Sequence, residues 1–174
     1  MKKVFGEKVP GLDYRKRTGV YAVIFHQEKD KILTFRNEIG HHFLPGGGIK
    51  ENESHVECLE REMMEETGYC VSIGSYIGHA MYYFFSRKGD PLLGEGHFYL
   101  VELNEKMLEP MEDEHAPVWM DRKDAKRLLI HEHHYWGIEE VWKLNEEIGI
   151  QAKQKNYEHS INMENNEVKK EKKC

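Results

Sequence analysis

The chain has 174 residues, a length that suits one domain with room for a tail. It is 39% hydrophobic and 32% charged with a net charge of −6, as expected of a soluble globular protein with an acidic surface. Residues from 151 onward hold six lysines against four glutamates, which leaves −8 on residues 1–150 and argues against nonspecific nucleic-acid binding, since that needs a basic face. No run approaches the ~18 apolar residues of a membrane span. The start, MKKVFGEKVPG, has two lysines but no apolar core behind them, so it does not read as a signal peptide.

In chain order, GVYAVIFH (19–26) is rich in Val, Ile, Tyr and Phe and predicts a strand, and KILTFRN (31–37) predicts its partner across a turn. HHFLPGGGI (41–49) begins as a short strand and is expected to break at Pro45 and the three glycines. A helix follows, starting near Asn52 or Ser54. Ser54 and Glu57 have capping-box spacing, and Gly68 stands where a left-handed C-cap glycine belongs. Residues 69–85 predict a strand region with breaks at Gly74 and Gly78, 87–91 a turn, 96–103 a strand, 111–116 an acidic loop and 117–120 a short strand. Asp121 is expected to N-cap a helix through about Leu129, and a last, amphipathic helix is expected from about Trp136 to Ile148. Residues 1–150 therefore read as one α/β domain, a mixed sheet sandwiched between helices, and 151–174 as a lysine-rich tail, disordered or a frayed helix.

The three cysteines, Cys58, Cys70 and Cys174, have no framework spacing and point to a reducing cytoplasm. Cys58 and Cys70 are expected to pack as small apolar groups, with Cys174 free to react.

The helix carries the chemistry. At about 100° per residue, with Glu62 at 0°, Glu65 falls near −60° and Glu66 near +40°, so the three acids share one arc. Val56, Leu59 and Met63 fall on a neighbouring arc that can pack on the sheet, and Glu57, Glu60, Arg61 and Met64 on the back. Glu62 and Glu66 form a like-charge i,i+4 pair, which costs roughly 0.2–0.5 kcal/mol; a cation beside them would explain it. Arg61 is i+4 from Glu57 and i−4 from Glu65, so it can hold Glu65 in one rotamer or serve as a plain surface partner. Gly46, Gly47 and Gly48 allow either a tight connection or close approach of the backbone to a ligand.

Loop and helix together resemble the signature of the Nudix hydrolases, the MutT-like family: G-x5-E-x7-R-E-U-x-E-E-x-G-U, with U bulky and apolar. Gly47, Glu53, Arg61, Glu62, Glu65, Glu66 and Gly68 match every fixed position, and Tyr69 takes the last U place. The box covers 23 residues; the surrounding strand order is similar over about 18–148. The resemblance implies a Nudix α/β/α sandwich. It implies metal-binding roles for Glu62, Glu65 and Glu66, an orienting role for Arg61, a loop-to-helix tie at Glu53, and a metal-directed backbone carbonyl at Gly46. It also implies an acid from a late loop, for which Glu114 is the candidate and Glu112 and Asp113 the runners-up. Carboxylates facing a polyphosphate need a hard cation, Mg²⁺ or Mn²⁺, between them. The implied reaction is hydrolysis of a diphosphate bond in a nucleoside diphosphate linked to X, with Glu62 or Glu114 as general base. The implied partner is a small nucleotide, with no membrane and no protein or nucleic-acid partner evident; homodimerisation is left open. The alternative is a Nudix-fold nucleotide-binding or regulatory module without catalysis, and an RNA-end pyrophosphohydrolase would want a basic channel.

Other features compete for attention. The spacing in HEHH (131–134) fits none of the common zinc patterns, so packing or capping before the last helix is expected. His41 and His42 are placed either at substrate or at a strand edge. MYYFF (81–85) is aromatic enough to stack a base, with two of the five available once the core takes its share. Arg87 and Lys88 suit either an outer phosphate or a hairpin tip. No proline stands where ADP-ribose-specific relatives tend to carry one.

Overall fold

A computed structural model describes residues 3–28, 30–86, 88–110 and 116–144. The chain divides into two units, Met1–Glu139 and Glu140–Cys174. The architecture below is that of the first; residues 140–144 of the second are helical. No helix among the described residues is long and apolar enough to cross a membrane.

The first unit is a mixed α/β fold on two sheets. The larger contains β1 (Lys3–Phe5), β2 (Arg15–Val23), β5 (Gly46–Gly48), β6 (Tyr69–Phe85) and β7 (Pro91–Lys106) in the order β1-β6-β7-β2-β5. Parallel pairs (β1 with β6, β2 with β7) and antiparallel pairs (β6 with β7, β2 with β5) make it mixed. The smaller is antiparallel, with β3 (Lys31–Arg36) between β4 (His42–Phe43) and β8 (Ala116–Asp121).

Strand alternation sorts β2 between two faces. Val20 and Ala22 join Cys58, Leu59 and Met63 of α1 (His55–Thr67) in one buried cluster with Val101. Tyr21 points the other way, stacks on Phe98 and meets His133 and His134 of the last helix, α3, which begins at residue 132. Glycines let α3 come close: a Cβ at Gly137 would lie 2.6 Å from the Phe98 ring.

The helix signals of α1 act as expected. Ser54 and Glu57 form the capping box, and Gly68 takes φ 73°. Several expectations change. The glycine run is not a break but strand β5, paired with β2, because the smallest residues leave a backbone ladder that nothing obstructs. Gly74 and Gly78 do not interrupt β6; they sit at its bulged register shifts. Past Asp121, which makes no side-chain cap, a 3-10 turn (Arg122–Asp124) and a four-residue helix, α2 (Ala125–Leu128), replace the expected helix. Val56 is exposed and Cys58 fills the core in its place, whereas Cys70 is exposed. Helix α3 starts earlier than Trp136; its expected end at Ile148 and the tail lie outside the described residues.

Candidate active site

The edge strand β5 presents its polar groups to α1. In an antiparallel ladder, residues alternate between bonding their partner strand and pointing away from it. Ala22 N–H donates to Pro45 O (2.8 Å) and Ile49 N–H to Thr18 O (3.2 Å). That alternation leaves Gly46 and Gly48 with N–H and C=O directed off the sheet edge. The Gly46 N–H donates to Glu66 Oε2 at 2.9 Å, and the Gly48 carbonyl accepts from Arg61 at 3.2 Å.

Arg61 is the hub. Its guanidinium donates to Glu53 Oε1 at 2.6 Å and Oε2 at 2.9 Å, to Glu62 Oε1 at 2.7 Å and to Glu65 Oε2 at 3.2 Å. At about −100° on the helical wheel it lies only about 40° beyond Glu65, so it belongs to the acidic face and not to the back, as its sequence position suggested. Glu57, offered as its partner, is occupied by the N-cap. Glu53 also accepts from the Lys50 N–H at 2.8 Å, which fixes the loop to the helix. These bonds, the one to Arg61 foremost, hold the Glu53 carboxyl down at about 2. The same contacts, led by Glu53, push the Arg61 guanidinium up. Lys50 Nζ stands 4.0 Å from Glu65.

The neighbouring glycines are required for different reasons. At Gly46, φ is +124° and a Cβ would run into the Val20 carbonyl. At Gly47 a Cβ would lie 2.5 Å from Glu62 Oε1, so the carboxylate occupies the space that any side chain would need.

This edge opens onto two cavities that share Tyr21 and His131. One, of about 230 Å³, is lined by Gly47 and Gly48, by Arg17, and by the rings of Tyr82, Phe84 and His133. The other, of about 260 Å³, is lined by Gly46, Glu66, Phe35, Phe43 and His134. Tyr82 stacks on Phe84 (4.8 Å, 10°) and on His133 (4.9 Å, 16°). The histidines are neutral: burial, then His41, holds His131 down at about 4, and burial, then His131, holds His133 at about 3. Burial also raises the Tyr21 hydroxyl to about 12.

Glu62, Glu65, Glu66, Arg61, Glu53, Gly46 and Gly47 thus meet at one edge, and Gly68 closes the helix. Glu114, Glu112, Asp113 and Arg87 lie outside the described residues. His42 is buried on Thr34 at 2.9 Å, a structural place. Of the aromatic run, Tyr82 and Phe84 line a cavity. Sequence reasoning passed over Arg17, Tyr21, His131 and His133 as cavity residues; strand alternation from Val20 and Ala22 was the signal for Tyr21. An exposed group, His26, Glu28 and Asp30, also brings ligating atoms within 4.8 Å on the β2–β3 turn, remote in kind from this edge.

The donor set at the β5 edge suits a hard divalent cation. It consists of carboxylate and backbone oxygens, with Glu53, Glu62 and Glu65 gathered around one guanidinium and Glu66 held by the Gly46 N–H, and Mg²⁺ and Mn²⁺ take such oxygens.

Over 60 residues the chain is 32% identical to a protein of Bacillus subtilis (strain 168) provisionally designated an 8-oxo-dGTP diphosphatase; the match spans 34% of this chain and only 40% of that protein's length. A NUDIX hydrolase from Nitrosomonas europaea shares the fold with a TM-score of 0.58 at 18% identity, covering 74% of this chain and 90% of its own. A MutT protein from Methanosarcina mazei Go1 does so with a TM-score of 0.58 at 20% identity, covering 78% and 99%. The NUDIX domain model matches residues 15–140, which take in the glycine strand, the acidic helix and the cavity histidines, and the chain accordingly belongs to the Nudix hydrolase family.

Proposed function

We propose that this protein is a pyrophosphohydrolase that uses a divalent cation, Mg²⁺ or Mn²⁺, to cleave a diphosphate bond in a nucleoside diphosphate linked to a further group X. The observation that carries the reading is the convergence of Glu62, Glu65 and Arg61 with the Glu66–Gly46 contact on an edge that opens into an aromatic cavity. Family membership supports the reaction class.

Glu62, Glu65 and Glu66 would hold the cation, together with the Gly46 carbonyl and Glu114. A bound cation polarises a phosphoryl oxygen and lowers the pKa of water beside it. The chain's own residues do the rest. Arg61 fixes the rotamers of Glu62 and Glu65, so their oxygens need no reordering when substrate arrives. Glu53 and the Lys50 N–H fix Arg61 in turn. Glu62 or Glu114 accepts the proton of the attacking water. The bond between phosphorus and the bridging oxygen breaks, and the departing phosphate carries the electron pair. Tyr82 and Phe84 offer faces to a nucleobase, and Arg17 is the cation of that cavity's lining.

The working compartment in this proposal is the cytoplasm, in keeping with the free Cys58 and Cys70. A panel of nucleoside triphosphates, including dGTP and 8-oxo-dGTP, and of nucleoside diphosphate conjugates tests the function. It is run with Mg²⁺ and with Mn²⁺, reading phosphate and pyrophosphate. Turnover of at least one compound, abolished by chelation, is expected. No turnover across the panel would favour a binding module instead.

A further inference from the structure

Arg17, Gly19 and Tyr21 alternate onto the α3 face of β2, and Gly19 is the cross-strand partner of Gly48 in β5. Neighbouring positions on that face therefore carry no side chain, as strands do where a ligand approaches the backbone closely. Arg17 is the diagonal neighbour of Gly48, a separation that a long side chain spans. A Cβ at Gly48 would lie 3.5 Å from Arg17 Nη2 and 3.7 Å from its Nε. From the other side the Tyr21 ring leans back along the strand, and a Cβ at Gly19 would lie 2.8 Å from its hydroxyl oxygen. A guanidinium and a hydroxyl thus flank a floor of bare backbone, in the cavity that Tyr82 and Phe84 also line. We propose that Arg17 and the Tyr21 hydroxyl form a metal-independent phosphate site, which holds the 5′-phosphate on the nucleoside while the carboxylates of α1 and their cation act on the next phosphate outward. This deepens the pyrophosphohydrolase reading and rests on it.

Both donors are uncommitted. Among the described residues Arg17 makes no ion pair and the Tyr21 hydroxyl no hydrogen bond. Glu95, the acid in the lining, is taken by Lys16, and His131 and His133 are neutral. The charge this cavity offers a ligand is therefore that of Arg17. Burial above all keeps the Tyr21 hydroxyl protonated, so it donates at neutral pH. A forked guanidinium beside a hydroxyl suits the oxygens of a phosphate. The strand itself separates the two charges. The side-chain direction at Gly47 leads to Glu62 and that at Gly48 to Arg17, so carboxylate and guanidinium stand on opposite faces of one backbone. A diphosphate crossing this edge places one phosphate with the carboxylates and their cation, and the other with Arg17.

Calorimetric titration of the full chain in excess chelator, with AMP, GMP, CMP, UMP and dGMP and with the matching nucleosides, tests the site. At least one monophosphate should bind about 10-fold or more tightly than its nucleoside. Arg17→Met should abolish that preference and Tyr21→Phe weaken it. Arg17→Lys, which keeps the charge without the fork, should retain part of it, and Glu62→Gln all of it. With a panel substrate and Mg²⁺, Arg17→Met should raise KM about 10-fold with kcat nearly intact. An unchanged melting temperature of Arg17→Met separates these effects from a folding defect. No binding of any monophosphate, equal affinity for monophosphate and nucleoside, or a preference kept by Arg17→Met would overturn the proposal. The two readings fail separately: turnover without an Arg17-dependent preference removes this site alone, and the preference without turnover supports the site and removes hydrolysis alone.

Discussion

The two faces of the main sheet solve opposite problems. On the α1 side an apolar base of Cys58, Leu59 and Met63 carries a rim of charge, with Arg61 shared among Glu53, Glu62 and Glu65. On the α3 side the same strands are covered by neutral rings: Tyr21, Phe98, His133 and His134. Charge is affordable only at the rim, where water and cations reach it; buried without a partner it would cost several kcal/mol or lose its proton. The two meet at β5, whose glycines present backbone to both. We read the charged face as the phosphate end of the substrate site and the aromatic face as the end that holds the nucleoside.

Changes on the charged face should separate the two most sharply. Glu62→Gln keeps size and hydrogen-bonding capacity but removes the charge. It should lower kcat by roughly 10²–10⁴-fold if Glu62 takes the proton, with little change in melting temperature; retained kcat would move that role to Glu114. The adjacent glycines come next. Gly47→Ala clashes with the movable end of Glu62, so activity should fall about 10–100-fold in a folded protein. Gly46→Ala clashes with backbone at positive φ and should cost about 1–3 kcal/mol of stability. Calorimetry alongside kinetics tells them apart, and equal effects of the two would remove the distinction drawn between them.

On the aromatic face, Tyr82→Ala should raise KM about 10-fold with kcat nearly intact, as expected for loss of one stacking surface. A fall confined to kcat would contradict a binding role. The smallest effect is in pH. His133 and Glu53 both have depressed folded values, so each stabilises the fold above its unfolded pKa and loses that contribution as pH falls. For His133 the loss starts below 6.5 and runs toward about 3; for Glu53 it starts below 4.5 and runs toward about 2. The melting temperature should therefore drop by about 3 °C or more between pH 7 and 5, before the carboxylate clamp is touched. His133→Phe should lessen that drop without removing it, because His131 and His134 are also held neutral by burial, and an unchanged pH profile would break the assignment to His133.

Local signals made the acidic helix legible in the sequence. Its caps, its apolar arc through Leu59 and Met63, and the arc of Glu62, Glu65 and Glu66 depend on neighbours within a few turns. Arg61 reads as part of the back when its angle is compared with Glu62 alone, but it stands only about 40° from Glu65, a gap its long side chain spans. Non-local pairing hid the rest. Strand β1 gains its partners from β6 some 75 residues on, at Lys3↔Ala80 through Phe5↔Tyr82. Nothing in three glycines announces that β2 will pair with them. The histidines of HEHH read correctly as packing residues, but their place on the cavity walls depends on how α3 lies over β7, which Gly96 and Gly137 permit.

The central claim is that the carboxylates of α1 act through a divalent cation on a diphosphate bond. The direct test is kcat/KM on a substrate found in the nucleotide panel, with Mg²⁺, for the wild type and for Glu65→Gln combined with Glu66→Gln. The account predicts a loss on the order of 10³-fold or more in a protein that still folds. Activity equal to the wild type in that double variant would contradict it.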